Sequence, residues 1–146
     1  MPIGKQIHIL LADDDKDDTF FFAKALEKVP FPISFTSLDD GEELLTYLTN
    51  GKSVVPDVLF LDVNMPRKNG MECLIEIKVN KKIKDFAIVI YSTSLNPSVA
   101  ELFYEKGAHS CLKKCDFKDL IGNLTTIISQ ISKNEFVKQP REKFVL

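Results

Sequence analysis

The sequence has few of the features that mark membrane, secreted or nucleic-acid-binding proteins. Its longest uninterrupted apolar run, residues 86–91, has six residues, far short of the roughly 20 that span a bilayer. The N-terminal stretch carries a lone Lys5 and leads into Asp13 without a small-residue cleavage site, which disfavours a signal peptide. The net charge of -2 disfavours general attraction to nucleic-acid phosphates. We therefore expect a cytoplasmic protein with neither a membrane-spanning segment nor a nucleic-acid partner.

Cysteine is also scarce. Cys73, Cys111 and Cys115 form neither an even disulfide set nor a C-x-x-C pair, as is usual in a reducing compartment. We interpret them as small buried or half-buried thiols. The chain has 146 residues, of which 45% are hydrophobic and 27% charged, values typical of one globular domain with an ordinary core.

Five short apolar runs alternate with five longer segments of helical periodicity. The runs are rich in Ile, Leu, Val and Phe, as is typical of parallel strands covered on both faces. Strands are predicted over residues 7–12, 33–38, 58–63, 87–91 and 110–113. This alternation predicts a doubly wound α/β fold, a flavodoxin-like (βα)5 three-layer sandwich with a parallel sheet of order 2-1-3-4-5.

Capping residues delimit the predicted helices. The first covers residues 17–29 and ends before Pro30, which cannot continue a helix. Asp40 with Glu43 has the spacing of a capping box at the start of the second. The third covers residues 70–80, and the fourth and fifth begin after Asn96 and Asp116. Helix stops are predicted at Asn50-Gly51 and at Gly107.

Acidic residues follow two of the predicted strands. Asp13 and Asp14 come after the first strand, and Asp62 lies near the end of the third. In this sheet order the two strand ends meet at the point where the winding reverses, which is where ligands bind in such folds. A cluster of carboxylates repels itself unless a cation lies inside it.

The nature of these ligands indicates the metal. Oxygen donors without a nearby His or Cys favour a hard cation, and a small site completed by solvent and phosphate oxygens suits Mg²⁺ better than Ca²⁺. We assign this chemistry to Asp13 and Asp14. For Asp17 and Asp18 we favour the simpler interpretation, acids stabilised at a helix N-terminus by its dipole.

Two further strand ends add a hydroxyl and a cation. Residues 92–94 (Ser-Thr-Ser) follow the fourth strand, and Lys113 and Lys114 lie at the end of the fifth. A carboxylate nucleophile, a divalent metal, a hydroxyl and a lysine are the groups that phosphoryl transfer to an aspartate requires. The sequence therefore predicts phosphorylation of an aspartate at this edge of the sheet.

These residues resemble the receiver domain of two-component response regulators, the chemotaxis-protein-like family, from Gln6 to about Ser132. The resemblance is carried by four segments: Ile9-Leu10-Leu11-Ala12-Asp13-Asp14, Leu61-Asp62-Val63-Asn64-Met65-Pro66 with Gly70, Ile88-Val89-Ile90-Tyr91-Ser92-Thr93, and Gly107-Ala108 followed by Lys114. The chain looks most similar to small stand-alone receivers that are paired with sensor histidine kinases, including phytochrome-linked ones.

The resemblance implies a role for each matching residue. Asp62 is expected to accept the phosphoryl group. Asp14 is expected to bind Mg²⁺ directly, Asp13 mainly through water and Asn64 through its backbone carbonyl. Among the remaining matches, Ser92 is expected to be the switch hydroxyl with Thr93 as its neighbour and rival, and Lys114 is expected to pair with the phosphoryl group.

The resemblance also sets expectations for the domain and its partners. Residues 1–133 are expected to form the receiver domain and residues 134–146 a tail, docked or loose, with no effector domain. A protein of this kind catalyses only its own phosphoryl transfer and dephosphorylation. It signals to another protein, to a second copy of itself as a homodimer, or to the next carrier of a phosphorelay.

The sequence departs from the family at two positions. Cys111 stands where receivers often have an aromatic residue that rotates inward, so coupling from Ser92 to the surface must differ. Cys115 stands where a cis-proline commonly follows the lysine, and a cis bond before another residue costs about 2.5 to 4 kcal/mol. The loop is therefore either trans and shifted, or strained.

Three other interpretations compete. Residues 15–19, Asp-Lys-Asp-Asp-Thr, fit the D-x-D-x-T string of haloacid-dehalogenase-type phosphatases, but they do not follow their strand directly. An EF-hand that starts at Asp13 lacks the glycine and the distant glutamate. A degenerate receiver that binds partners without phosphorylation is the non-enzymatic rival, which Cys111 supports and the intact acids oppose.

Phe20, Phe21 and Phe22 cannot all be buried by one helix face. We expect at least one to be exposed. Phe20 or Phe21 is then either a docking residue for a kinase or, in the alternative, additional core packing under Phe136 or Phe144 of the tail.

Overall fold

The computed structural model describes residues 6–83 and 85–146, in which five strands alternate with five helices. The strands are β1 Ile7–Ala12, β2 Ile33–Leu38, β3 Val58–Leu61, β4 Ala87–Ser92 and β5 Ser110–Lys113. The helices are α1 Lys16–Leu26, α2 Gly41–Thr49, α3 Gly70–Val79, α4 Pro97–Glu105 and α5 Phe117–Ser132, followed by a short 3-10 turn at Arg141–Lys143. Within the described ranges no helix combines the length and apolarity needed to cross a bilayer.

The five strands form one parallel sheet in the order β2-β1-β3-β4-β5, which confirms the predicted topology. β1 lies between β2 and β3, and Ala12 at its end is opposite both Leu38 and Leu61. The winding therefore reverses at β1, and the ends of β1 and β3 lie side by side. Residues that follow these two strands start from neighbouring points at one edge of the sheet.

Helices cover both faces of the sheet, so the three-layer arrangement is also confirmed. One buried cluster combines alternate strand residues, such as Leu59 and Ile88, with residues of α2, α3 and α4. The other combines the intervening residues, such as Phe60 and Tyr91, with residues of α1 and α5. Because both faces are covered, every residue of β1 and β3 is buried, which explains why these strands read as continuous apolar runs.

The end of β3 and both ends of α1 differ from their predicted positions by one to three residues. β3 ends at Leu61 rather than at residue 63, since the Asp62 carboxylate accepts the Val63 N–H at 2.9 Å and the Val63 carbonyl accepts the Gly70 N–H at 2.8 Å. These bonds turn the chain out of the sheet toward α3. Helix α1 covers Lys16–Leu26 rather than residues 17–29. It starts one residue earlier because Asp15 caps it, and it ends earlier because the N–H groups of Lys28 and Val29 donate to carbonyls three residues back, as in a turn.

Side-chain caps begin all five helices. Asp40, Asn96 and Asp116 each accept the backbone N–H three residues on, as predicted. The capping box predicted at Asp40 is only half formed, because the Glu43 carboxylate accepts the N–H of Asp39 instead of that of Asp40. Both halves of a box are present at α3, from Asn69 and Glu72.

The C-terminal tail, residues 134–146, is docked along the edge of β5. The Cys111 N–H donates to the Phe144 carbonyl at 2.8 Å, and the Leu146 N–H donates to the Cys111 carbonyl at 2.7 Å. Val145 thereby forms a one-residue parallel bridge to Cys111. The Phe144 side chain is only 3% exposed and belongs to the cluster beneath α3 and α4, so it anchors the tail.

Polar contacts also hold the tail on α4. The Lys138 ammonium donates to the Tyr104 carbonyl at 2.6 Å and lies 4.2 Å from the Tyr104 ring centroid. Arg141 forms an ion pair with Glu101 and lies 4.5 Å from the same ring. Exposed ion pairs of this kind contribute about 1 kcal/mol or less, so the buried Phe144 ring is the main source of tail stability.

We expect Phe144→Ala to loosen the tail without unfolding the sheet. Burial of such a ring contributes about 1.5 to 3 kcal/mol, so hydrogen exchange of the Cys111 and Leu146 amides should accelerate about tenfold to a hundredfold. Val145→Ala is the matched control, because Val145 is 45% exposed and should leave exchange nearly unchanged. Equal exchange in the two variants, measured by NMR, would show that Phe144 does not anchor the tail.

Candidate functional site

Three carboxylates meet beyond the ends of β1 and β3. The backbone fixes two of them, since the Asp13 N–H donates to the Leu38 carbonyl and the Asp62 N–H donates to the Ala12 carbonyl, both at 3.0 Å. One oxygen from each of Asp13, Asp14 and Asp62 lies within 4.8 Å of the other two. Asp13 and Asp62 are buried, whereas Asp14 is exposed. These three oxygens fit a hard divalent cation, which prefers oxygen ligands.

The electrostatics of Asp62 reflect this crowding. Burial of the side chain and the nearby charge of Asp13 raise the pKa of the Asp62 carboxyl to about 7, and the Lys114 ammonium opposes part of that rise. The ionised form of Asp62 is therefore stable only when positive charge lies nearby. A cation bound among the three acids would supply that charge.

Lys114 follows β5 and reaches across the sheet edge to the acids. Its backbone N–H donates to the Ser92 carbonyl at 2.9 Å. Its ammonium lies 2.8 Å from an Asp13 oxygen and 3.9 Å from an Asp62 oxygen, and 5.2 Å from the Tyr91 ring centroid. Burial disfavours the charged lysine, but hydrogen bonds to Asp13 and Asp18 and the charge of Asp62 outweigh it and raise the Lys114 pKa. The lysine is therefore held as a cation.

Asp18 is a member of the site that the sequence analysis missed. Its carboxylate lies 2.8 Å from the Lys114 ammonium, although the simpler interpretation treated it only as a helix N-terminal acid. Its position four residues before the buried Phe22 of α1 indicated the sheet-facing side of the helix. Asp17, one residue earlier, is exposed, so the helical-dipole interpretation still suits it.

The other predicted residues lie nearby with different environments. Ser92 is the last residue of β4 and is buried, and its hydroxyl oxygen accepts the Ser94 N–H at 3.3 Å. Thr93 and Asn64 are exposed. Within residues 6–83 and 85–146, no hydrogen bond joins the side chains of Ser92, Thr93 or Asn64 to the three acids. The structure therefore unites Asp13, Asp14, Asp62 and Lys114, whereas Ser92, Thr93 and Asn64 share with them only a position at or just after the ends of β4 and β3.

Gly70 brings the start of α3 against Asp62. A Cβ atom at this position would lie 2.3 Å from the Asp62 carbonyl oxygen, so only glycine permits the contact. Its N–H also donates to the Val63 carbonyl, as described above. Gly70, which belongs with the Leu61–Pro66 segment in the family resemblance, therefore fixes the loop that carries Asp62.

The three cysteines fit their interpretation as structural thiols. All are free, Cys73 and Cys111 are buried, and Cys115 is partly exposed. Burial raises the pKa of the Cys111 thiol to about 12 and that of the Cys115 thiol above its ordinary value, which disfavours reactive thiolates. The peptide bond between Lys114 and Cys115 is trans, so of the two alternatives for this loop the strained cis bond is excluded.

The structure uses the rival acidic motif differently. The Asp15 carboxylate accepts the Asp18 N–H at 3.0 Å as the N-cap of α1, so the first aspartate of the D-x-D-x-T string serves as a helix cap. The acids that converge are those at the ends of β1 and β3. The geometry therefore disfavours the phosphatase and EF-hand interpretations.

Comparisons with known proteins agree with this geometry. Residues 9–125 match the response regulator receiver domain family. The response regulator Rcp1 of Synechocystis is 32% identical over 117 residues, which are 77% of this chain and 80% of Rcp1.

Solved structures show the same fold in relatives. The phosphorylated cyanobacterial phytochrome response regulator RcpA has a TM-score of 0.80 at 25% identity, covering 92% of this chain and 100% of RcpA. The Mn²⁺-bound form of Rcp1 has a TM-score of 0.76 at 29% identity, covering 92% of this chain and 99% of Rcp1. The match over residues 9–125, the Rcp1 relationship and the acidic site together show that this chain belongs to the response regulator receiver domain family.

Proposed function

We propose that this receiver accepts a phosphoryl group on Asp62 from the histidine of a sensor kinase, in a Mg²⁺-dependent reaction. The observation that carries the proposal is the convergence of Asp13, Asp14 and Asp62 within 4.8 Å, beside the buried ammonium of Lys114. The family match supports phosphorylation-dependent signalling as the general function.

Asp62 is the nucleophile of the proposed reaction. A carboxylate oxygen of Asp62 attacks the phosphorus of the phosphohistidine, an O–P bond forms and the P–N bond breaks. The electron pair of that bond returns to the imidazole, and an acyl phosphate remains on Asp62. The ionised form of Asp62 is required. Lys114 favours it against burial and the charge of Asp13, and a cation held by the acids would favour it further.

The proposed metal ligands are Asp13, Asp14, Asp62 and the backbone carbonyl of Asn64, with Asp13 acting mainly through water. When bound, Mg²⁺ supplies positive charge to the equatorial phosphoryl oxygens. The oxygen-only cluster of three acids supports this assignment. The relative Rcp1 was solved in a Mn²⁺-bound form, and Mn²⁺ favours the same kind of ligands.

Lys114, Ser92 and Thr93 complete the proposed site. Lys114 pairs with a phosphoryl oxygen, for which its ammonium is already 3.9 Å from Asp62. Ser92 supplies the switch hydroxyl from the end of β4, and its bond from the Ser94 N–H must be given up when it turns. Thr93 is exposed and is the secondary candidate for this role.

The partners are proposed from the relatives. RcpA is described as a phytochrome response regulator, and we propose a phytochrome-linked histidine kinase for this chain. The phosphorylated domain then signals in the cytoplasm to a downstream protein, to a second copy of itself or to a phosphotransfer carrier. Its only catalysis is its own phosphorylation and dephosphorylation.

We expect Asp62→Asn to abolish Mg²⁺-dependent labelling by radiolabelled acetyl phosphate, because an amide cannot serve as the nucleophile. Asp85→Asn is the control, since the Asp85 side chain is 90% exposed and lies outside the site, and it should label at the wild-type level. Persistent labelling of Asp62→Asn would refute the phosphoacceptor assignment.

We expect Asp14→Asn to weaken divalent metal binding by about tenfold or more, since it removes one of three anionic ligands from the cation. The binding of Mn²⁺ to the protein can be followed by the loss of the electron paramagnetic resonance signal of the free ion. Asp17→Asn removes the same charge from the exposed start of α1 and should change the affinity little. Equal affinities in both variants would contradict the site.

We propose that Phe20 on α1 contacts the kinase. The Phe20 side chain is 64% exposed, whereas Phe22 is fully buried and Phe21 packs on Phe117 with 5.3 Å between ring centroids. The prediction that at least one of the three is exposed is thus confirmed. An exposed aromatic ring on the helix that starts at the acidic site is a suitable anchor for a partner that must reach Asp62.

We expect Phe20→Ser to lower the rate of phosphotransfer from the cognate phosphorylated kinase, with little effect on labelling by acetyl phosphate, which needs no docking surface. Val79→Ser on α3 is the matched control, because Val79 is 70% exposed. If both variants accept phosphoryl groups from the kinase as fast as the wild type, Phe20 is not a docking residue.

A further inference from the structure

The Lys114 ammonium is shared unequally among three carboxylates. It lies 2.8 Å from Asp18 and 2.8 Å from Asp13, but 3.9 Å from Asp62. The Lys114 side chain is only 11% exposed, so these contacts are formed away from most of the solvent. In this state the lysine donates hydrogen bonds to Asp18 and Asp13 but forms none with Asp62, the proposed phosphoacceptor.

Asp18 comes to this lysine from a separate element. It lies in the first turn of α1, where its own N–H donates to the Asp15 cap at 3.0 Å, and its side chain faces the site. The helix dipole accounts for an acid in this turn, but not for its direction. Asp17 occupies the same turn and forms no ion pair within residues 6–83 and 85–146.

We propose that Asp18 is a positioning residue that restrains Lys114 and thereby opposes its pairing with a phosphoryl group on Asp62. This inference rests on the proposed function of Asp62 as phosphoacceptor. The ammonium lies 3.9 Å from the nearer Asp62 oxygen, about 1 Å beyond hydrogen-bond distance. The proposal requires that the movement closing this difference lengthens the contact with Asp18 on α1.

The charges of the site give the direction of the effect. Phosphorylation replaces the single negative charge of Asp62 by about two charges and adds acceptor oxygens, which attract Lys114. The Asp18 carboxylate competes for the same ammonium and also repels the new charge. A cation held by Asp13 and Asp14 would draw on the Asp13 carboxylate, which would leave Asp18 as the main partner that competes for Lys114.

The test is the affinity for beryllium fluoride, a mimic of the phosphoryl group, measured in the presence of Mg²⁺ by fluorine NMR on the full chain. We expect Asp18→Asn to bind it between about threefold and tenfold more tightly, the range set by a partly exposed ion pair. Labelling by acetyl phosphate should accelerate in the same direction, and Asp18→Glu should restore weaker binding.

Asp17→Asn is the matched control. It removes the same charge from the same helical turn, so any effect of the helix dipole or of net charge would appear in it equally. A thermal melt of each variant checks that the fold is retained. The gain from Asp18→Asn should also vanish in a Lys114→Gln background, because there is then no ammonium to release.

The sign of the result decides the proposal. Weaker binding by Asp18→Asn would mean that Asp18 orients Lys114 productively, and unchanged binding would mean that the contact has no effect. Either result overturns the proposal for Asp18. Binding of beryllium fluoride by the wild-type protein would still support Asp62 as the phosphoacceptor. If the wild-type protein neither binds beryllium fluoride nor takes the label, the proposed function itself fails, and this inference fails with it.

Discussion

One largely buried ammonium group, that of Lys114, offsets part of the negative charge of the site. Asp13 and Asp62 are both buried, and two carboxylates taken from water and placed side by side are unstable unless positive charge is near. Lys114 supplies that charge from the end of β5, while Asp18 adds a further anion. One cation facing four carboxylates, those of Asp13, Asp14, Asp18 and Asp62, leaves the site short of positive charge. This shortage is the physical reason why a divalent metal suits the cluster.

The sheet makes this charge arrangement possible. Parallel strands bring their carboxyl ends to one edge, and the order β2-β1-β3-β4-β5 places the ends of β1 and β3 next to each other. Helices pack on both faces of the sheet and bury the strands between them. Asp62 is further fixed by the close approach of Gly70 to its carbonyl. The acids therefore stay close together despite their mutual repulsion.

Much of this arrangement could be predicted from the sequence, because buried parallel strands are apolar runs and the site residues follow them directly. The end of β3 could not, since it depends on a bond between Asp62 and its own neighbour Val63. The capping box at Asp40 is only half formed for a similar reason, because the Glu43 carboxylate accepts the N–H of Asp39. The pairing of Asp18 with Lys114 joins residues 96 positions apart. Helical spacing gives the face of Asp18, but only the fold gives its partner.

The docked position of the tail could not be predicted from the sequence either, and the tail covers part of the surface of α4. Its residues have no clear period, because it is held by backbone bonds to Cys111 and by one buried ring, Phe144. The same ring packs edge-on against Tyr104 of α4, 5.3 Å between centroids. Cys111 is hydrogen-bonded to the tail and paired with Ile90 of β4, two residues before Ser92. Cys111 of β5 therefore connects the end of β4 to the tail directly. The tail side chains of Lys138 and Arg141 lie on the Tyr104 ring, so a partner that binds this part of α4 also contacts the tail.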